Sequence, residues 1–174
     1  MGRKNFKTLI ILLCGLIACK KDKPETTALT AFNAAGSVYI VCEGNFGSGN
    51  SSLYSYHPLQ DSVFCDLNNT MSKAPLGDVF QRMVRIGNQY FHCINNSDRV
   101  VILNAGILSM AGIINIPKPR YILPINPTKA YVSSEYSKNV YVINPQTQQV
   151  TDTIKLPFQN TEGMCLCNSN ALRE

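Results

Sequence analysis

The 174-residue sequence has no tryptophan and only two histidines, His57 and His92. The missing tryptophan rules out repeats built on a Trp-Asp pair. Two isolated histidines leave few donors for a metal cluster or a histidine base. No G-x-S-x-G elbow or glycine-rich phosphate loop is present. Charge is sparse, at 16% of residues, and the net value is +5. Three of those positive charges, Arg3, Lys4 and Lys7, sit in the first eighteen residues, which leaves +2 for the remainder. A balance that small gives no basic patch, so no nucleic-acid partner is expected. After residue 18 there is neither a long apolar run nor a convincing amphipathic helical period.

The one continuous apolar run is N-terminal. Leu9 to Ala18 follows the positive residues and is too short to span a bilayer, which takes roughly 20 apolar residues. It suits a cleavable secretory signal. The run ends in Leu16-Ile17-Ala18-Cys19. This resembles the lipobox of bacterial lipoproteins, in which a small residue precedes the cysteine that receives diacylglycerol. The resemblance implies a signal peptide over 1–18, lipidation of Cys19 and a mature chain of 156 residues, enough for one sizeable core. Residues 19–36 open with Lys20-Lys21-Asp22-Lys23-Pro24-Glu25, which cannot bury apolar area, and read as a flexible tether. Lys20, in place of an aspartate after the cysteine, is compatible with export to an outer membrane. An oxidising compartment then holds five further cysteines beyond Cys14 and Cys19. Cys42, Cys65 and Cys93 lie in strand-like runs and read as small hydrophobes. Cys165-Leu166-Cys167 would place two thiols on one strand face.

From Ser37 onward, period-2 alternation and β-branched or aromatic residues dominate. The segment from Tyr90 to Asn104 lies over that from Ala130 to Asn144 at an offset of 40 residues. Each copy reads strand, polar turn, strand, turn. A third copy runs through Val38–Cys42 and Leu53–His57, with the longer turn Glu43–Ser51 between them. Ser62–Leu67, Leu108–Ile116 and Val150–Leu156 close the three units. Phe80–Val84, Arg120–Leu123 and Glu162–Cys165 open the next ones. Four short strands every ~40 residues mark a β-propeller blade. Stacked blades bury each other's faces, so Val100, Ile102, Val140 and Val142 read as packing residues. The expected fold is an all-β propeller of four-stranded antiparallel blades over 37–174. About three blades are present, the N-terminal portion of a larger ring.

No catalytic constellation stands out, and the chain reads as non-enzymatic. His57 falls at a turn and His92 within a strand. Asp78 and Glu162 precede equivalent strands and read as turn residues. Ligands of propellers usually meet the face formed by the turns between second and third strands and between blades. Here that rim offers Asn45, Phe46, Asn50, Asn95, Asn96, Arg120, Tyr121, Glu135 and Tyr136. Amides and aromatics on a rigid rim suit a large polar ligand. The same residue types also serve tight turns for backbone reasons.

The strand Ala130-Tyr131-Val132-Ser133 leading into Asn139-Val140-Tyr141-Val142-Ile143-Asn144-Pro145 resembles the YVTN-type propeller. The lipobox, the first-blade turn Glu43-Gly44-Asn45-Phe46-Gly47-Ser48-Gly49-Asn50, Pro75-Leu76-Gly77-Asp78 and Pro119-Arg120-Tyr121 are similar to YncE-like lipoproteins of the DUF5074 type. The characterised BtuG-type members of that family are surface-exposed seven-bladed propellers. They capture cobalamin and pass it to a TonB-dependent receptor. The resemblance therefore implies an outer-membrane, cell-surface location, cobalamin as a bound ligand and a transporter partner. A protein-interaction scaffold of the cell envelope is the alternative, and a lactonase-type propeller enzyme ranks third.

Overall fold

The computed structural model describes residues 36–64 and 76–167. The expected signal peptide over 1–18, Cys19, the expected tether except Gly36, and Cys65 lie outside these described residues.

Among the described residues, eleven strands form three antiparallel meanders. The first sheet has β1 (Val38–Cys42), β2 (Ser52–His57) and β3 (Ser62–Phe64) in that order. The second has β4 (Phe80–Ile86), β5 (Gln89–Ile94), β6 (Arg99–Asn104) and β7 (Met110–Asn115). The third has β8 (Pro119–Asn126), β9 (Lys129–Ser134), β10 (Asn139–Asn144) and β11 (Gln149–Lys155). These strands follow the sequence alternation because residues two apart share a sheet face, and facing blades bury the sides they turn to each other. The chain is built of propeller blades.

The repeat extends to its irregularities. The β6–β7 register shifts between Ile102 and Leu103, and the β10–β11 register shifts between Val142 and Ile143, one repeat later. Both innermost strands, β4 and β8, also shift near their starts. A bulge bends a strand and increases its twist, so blades 2 and 3 are bent at equivalent places.

Two apolar layers glue the blades face to face. The first joins Leu53 of blade 1 to Tyr90, Ile94, Val101 and Leu103 of blade 2. The second joins Phe91, Cys93, Val100 and Ile102 of blade 2 to Ala130, Val132 and Ile143 of blade 3. Val140 and Val142 are buried as well, on the far side of blade 3. The first layer holds two polar residues where the second holds apolar ones. By register, Ser55 stands where Ile102 stands in blade 2, and His92 stands where Val132 stands in blade 3. Both are fully buried. Neither His92 ring nitrogen has a hydrogen-bond partner, and its ring lies edge-on to Phe80 at 5.0 Å.

The structure corrects three expectations. His57 is the buried last residue of β2 rather than part of the turn. Cys93 is buried as a small hydrophobe, but Cys42 is only half-buried. Residues 161–167 do not form an opening strand, and Cys165 and Cys167 are exposed in irregular chain. A strand needs a ladder partner, and none of the described residues runs beside this segment. It follows blade 3 through side chains instead. Ser133 Oγ donates to Glu162 O at 2.6 Å, and Thr161 Oγ1 donates to Ser134 O at 3.0 Å.

Candidate ligand-binding rim

One face of the blade stack carries the turns between second and third strands: 43–51, 95–98 and 135–138. The connections between blades join them there. Each of these turns hooks onto the next blade's entry. Phe80 N donates to Glu43 O at 3.2 Å, and Lys118 N donates to Asp98 Oδ1 at 2.9 Å. Tyr136 N donates to Asn160 Oδ1 at 3.2 Å.

Asp78 fastens the long turn of blade 1. Its Oδ2 accepts from Gly47 N at 2.7 Å and from Asn96 Nδ2. These bonds favour the ionised form. The Asn96 bond is the largest influence holding the carboxyl below the usual range, with backbone donors from Gly47, Gly49 and Val79 adding to it against desolvation. Asn96 Oδ1 in turn accepts from Lys118 Nζ at 2.8 Å. The turn also needs two glycines. Gly44 sits at φ +81° and Gly77 at φ +131°, and a Cβ on Gly77 would lie 2.5 Å from Ser97 Oγ and 2.8 Å from Ile94 Cγ2. Asn50 Oδ1 closes the turn by accepting from Asn45 N at 2.8 Å.

The second cluster spans blades 2 and 3. Glu135 Oε2 accepts from Asn95 Nδ2 at 3.0 Å and faces Arg120 Nη1 at 3.3 Å. Arg120 also grips Glu162 with two bonds, Nε to Oε2 at 3.0 Å and Nη2 to Oε1 at 3.1 Å. That paired fork is the strong geometry for guanidinium and carboxylate. A hydrogen bond with Glu135 holds the Tyr136 phenol above its usual range. A guanidinium, an amide and a phenol therefore converge on the Glu135 carboxylate.

The structure brings eight of the nine expected rim residues into these two clusters or the turns that frame them. Asn95 among them is buried and Asn96 half-buried, so their side chains serve the joints between blades. Phe46 and Tyr136 project outward, at 80% and 68% exposure. Asn45 and Asn50 pair within their own turn. Tyr121 lies apart on β8, under the Arg82 guanidinium, whose carbon is 4.2 Å from the ring centre and whose Nη2 donates to the hydroxyl at 3.1 Å. Asp78, Glu162 and Lys118 were not expected to take part. The signal for Glu162 was present: an acid placed 42 residues after Arg120, about one repeat away. Among the described residues, no three histidine, cysteine, aspartate or glutamate side chains gather as a metal site requires.

No family model and no curated protein matches the chain. Solved structures do. A luciferin-regenerating enzyme is 14% identical with a TM-score of 0.55, and the match covers 73% of this chain and 45% of that one. The hydrazine synthase of Kuenenia stuttgartiensis is 14% identical with a TM-score of 0.52, covering 63% and 31%. A chain of the nidogen/laminin complex is 12% identical with a TM-score of 0.51, covering 69% and 43%. The chain thus spans less than half the length of each structure. At such identities the likeness shows the fold alone. It also corrects one expectation. Two of these proteins are enzymes by name, so this blade architecture gives no ground for excluding catalysis, and the non-enzymatic reading does not stand.

Proposed function

We propose that the chain is the N-terminal part of a lipid-anchored propeller that binds a small ligand at the described rim. The observation that carries this is the contrast within the rim. Phe46 and Tyr136 are exposed aromatics set on turns that are held in place by bonds within the turn and by bonds to neighbouring blades. Preorganised turns bearing exposed rings lose little entropy on capturing a broad, flat, amide-bearing molecule. A corrinoid such as cobalamin has that chemistry, and the resemblance to DUF5074-type lipoproteins points to the same class. In this reading the protein sits on the outer membrane through Cys19 and hands its ligand to a TonB-dependent receptor.

Calorimetric titration with cyanocobalamin tests the ligand. Heat at micromolar ligand is expected, with affinity falling about tenfold or more in Phe46→Ala and Tyr136→Ala, the loss of one aromatic contact. No heat from the parent protein rejects the corrinoid reading. Capture of protein partners alone would favour the scaffold alternative.

A further inference from the structure

The face opposite the rim carries the other turns of blades 2 and 3. Residues 87–88 and 127–128 join first strands to second, and residues 105–109 and 145–148 join third strands to fourth. At the seam between the two blades these turns surround a cavity of about 320 Å³. Part of its lining is apolar. Ile86 and Pro145 are buried there, and Ile86 belongs to the layer that glues blade 2 to blade 3. Pro127, Asn88, Gln89 and Gln146 line it as well. Among the described residues, no charged side chain does.

We infer that this cavity is a ligand site distinct from the rim, and that it takes a compact uncharged molecule carrying a secondary amide. Two observations carry the assignment. First, the walls are set before a ligand arrives. Asn88 O accepts from Ala105 N at 2.9 Å, which ties the β4–β5 turn to the β6–β7 turn. Asn144 Oδ1 accepts from Gln146 N at 2.9 Å and from Thr147 N at 3.3 Å, which shapes the chain after Pro145. Gln89 is laddered to Ile86 on one side and Asn104 on the other. Walls held in this way lose little entropy on binding. Second, the amide heads are unspent. Asn88 and Gln146 enter those bonds through backbone atoms, and the side chains of Asn88, Gln89 and Gln146 form no hydrogen bond with another described residue. The rim is the opposite case, since Asn50, Asn95 and Asn96 spend their side-chain amides within turns and joints.

The chemistry of the lining selects the class of ligand. A primary amide sets an acceptor and a donor side by side, so it matches the C=O and N–H of a second amide. It brings no countercharge for an ion that leaves water. Ile86 and the two proline rings suit the aliphatic or sugar-ring frame between such amides. The volume lies at the small end of small-molecule pockets. N-acetylated sugars and short uncharged peptides share this chemistry. The site lies on the face away from Phe46 and Tyr136, so it stands or falls independently of the corrinoid reading.

Heteronuclear NMR of the purified protein tests the site, with N,N′-diacetylchitobiose and N-acetyl-alanyl-alanine methylamide as probes. The side-chain amide signals of Asn88, Gln89 and Gln146 are expected to shift with at least one probe, with a Kd of about 1 mM. A response to the sugar alone assigns a glycan ligand, and a response to the peptide alone assigns a protein segment. Asn88→Ala and Gln146→Ala change exposed side chains and should each weaken binding about fivefold, the loss of one hydrogen-bonding partner. The core signals of Phe91 and Val132 should stay in place. The deacetylated, cationic sugar should leave the amide signals unmoved. Silence with both probes at about 10 mM, well above that Kd, overturns the inference. So do shifts confined to the rim turns, an equal response to the deacetylated sugar, or undiminished affinity in both variants.

Discussion

His92 shows how much one side chain can reveal. Burial alone pulls its pKa down to about 3, far below the ordinary value near 6.5. The unfolded chain takes up a proton below pH 6.5 that the native chain refuses. Stability therefore falls with pH between about 6.5 and 3, by up to about 1.4 kcal/mol per unit. His92→Leu removes this dependence and supplies the apolar group that Val132 supplies in the next blade. Urea denaturation at pH 7.5, 5.5 and 4.5 should show the variant's advantage widening as pH falls. Parallel curves would show that the ring is not buried neutral. Asp78 acts in a different window. Its folded pKa lies below the unfolded value, so its stabilisation is complete at neutral pH and is lost only as pH falls through the acid range below about 4. Asp78→Asn keeps the shape and drops the charge. It should leave the strands protected while the Gly47 amide exchanges faster, and unchanged exchange there would remove Asp78 as the fastener of the turn. Neither role was legible in the sequence. A histidine in an alternating run looks like any strand residue, and the partners of Asp78 arrive from 18 and 31 positions away.

At the scale of the strand, the sequence spoke clearly. Alternation and the 40-residue offset located the strands of all three blades, because successive side chains along a strand point to opposite faces of its sheet. The offset even marks where the β6 and β10 registers slip. What it could not mark was Glu162–Cys165. That segment has the composition of an opening strand, but a strand exists only through its ladder, and composition does not record who lies alongside. Burial follows the same logic. Phe91 is fully enclosed in the layer between blades 2 and 3, so Phe91→Ala should cost about 3–5 kcal/mol. Val63, on the open face of blade 1, is exposed, and Val63→Ala should stay within about 0.5 kcal/mol. Thermal unfolding of the two variants separates these outcomes, and similar losses would mean that the face of blade 1 is covered.

The whole molecule was legible as a class and less so as a device. Blades, stacking and the face that bears the turns followed from repeat and period. The division of the rim into joints and outward rings did not, since Asn95 and Asn96 look as available in sequence as Asn45. The proposed lipid anchor at Cys19 has its own test. Radiolabelled palmitate should enter the protein in a bacterial host, and Cys19→Ser should abolish the label. Label retained by the variant would place the lipid elsewhere.

The hooks between turns and neighbouring blades also constrain how this rim can change over generations. Asp78, Asn95, Asn96, Arg120 and Glu135 each bind across a joint, so a change that retunes recognition there also loosens the assembly. Phe46 and Tyr136 have no such duty. Lineages that swap one ligand for another should therefore vary first at these two exposed rings, while the polar lattice behind them stays fixed.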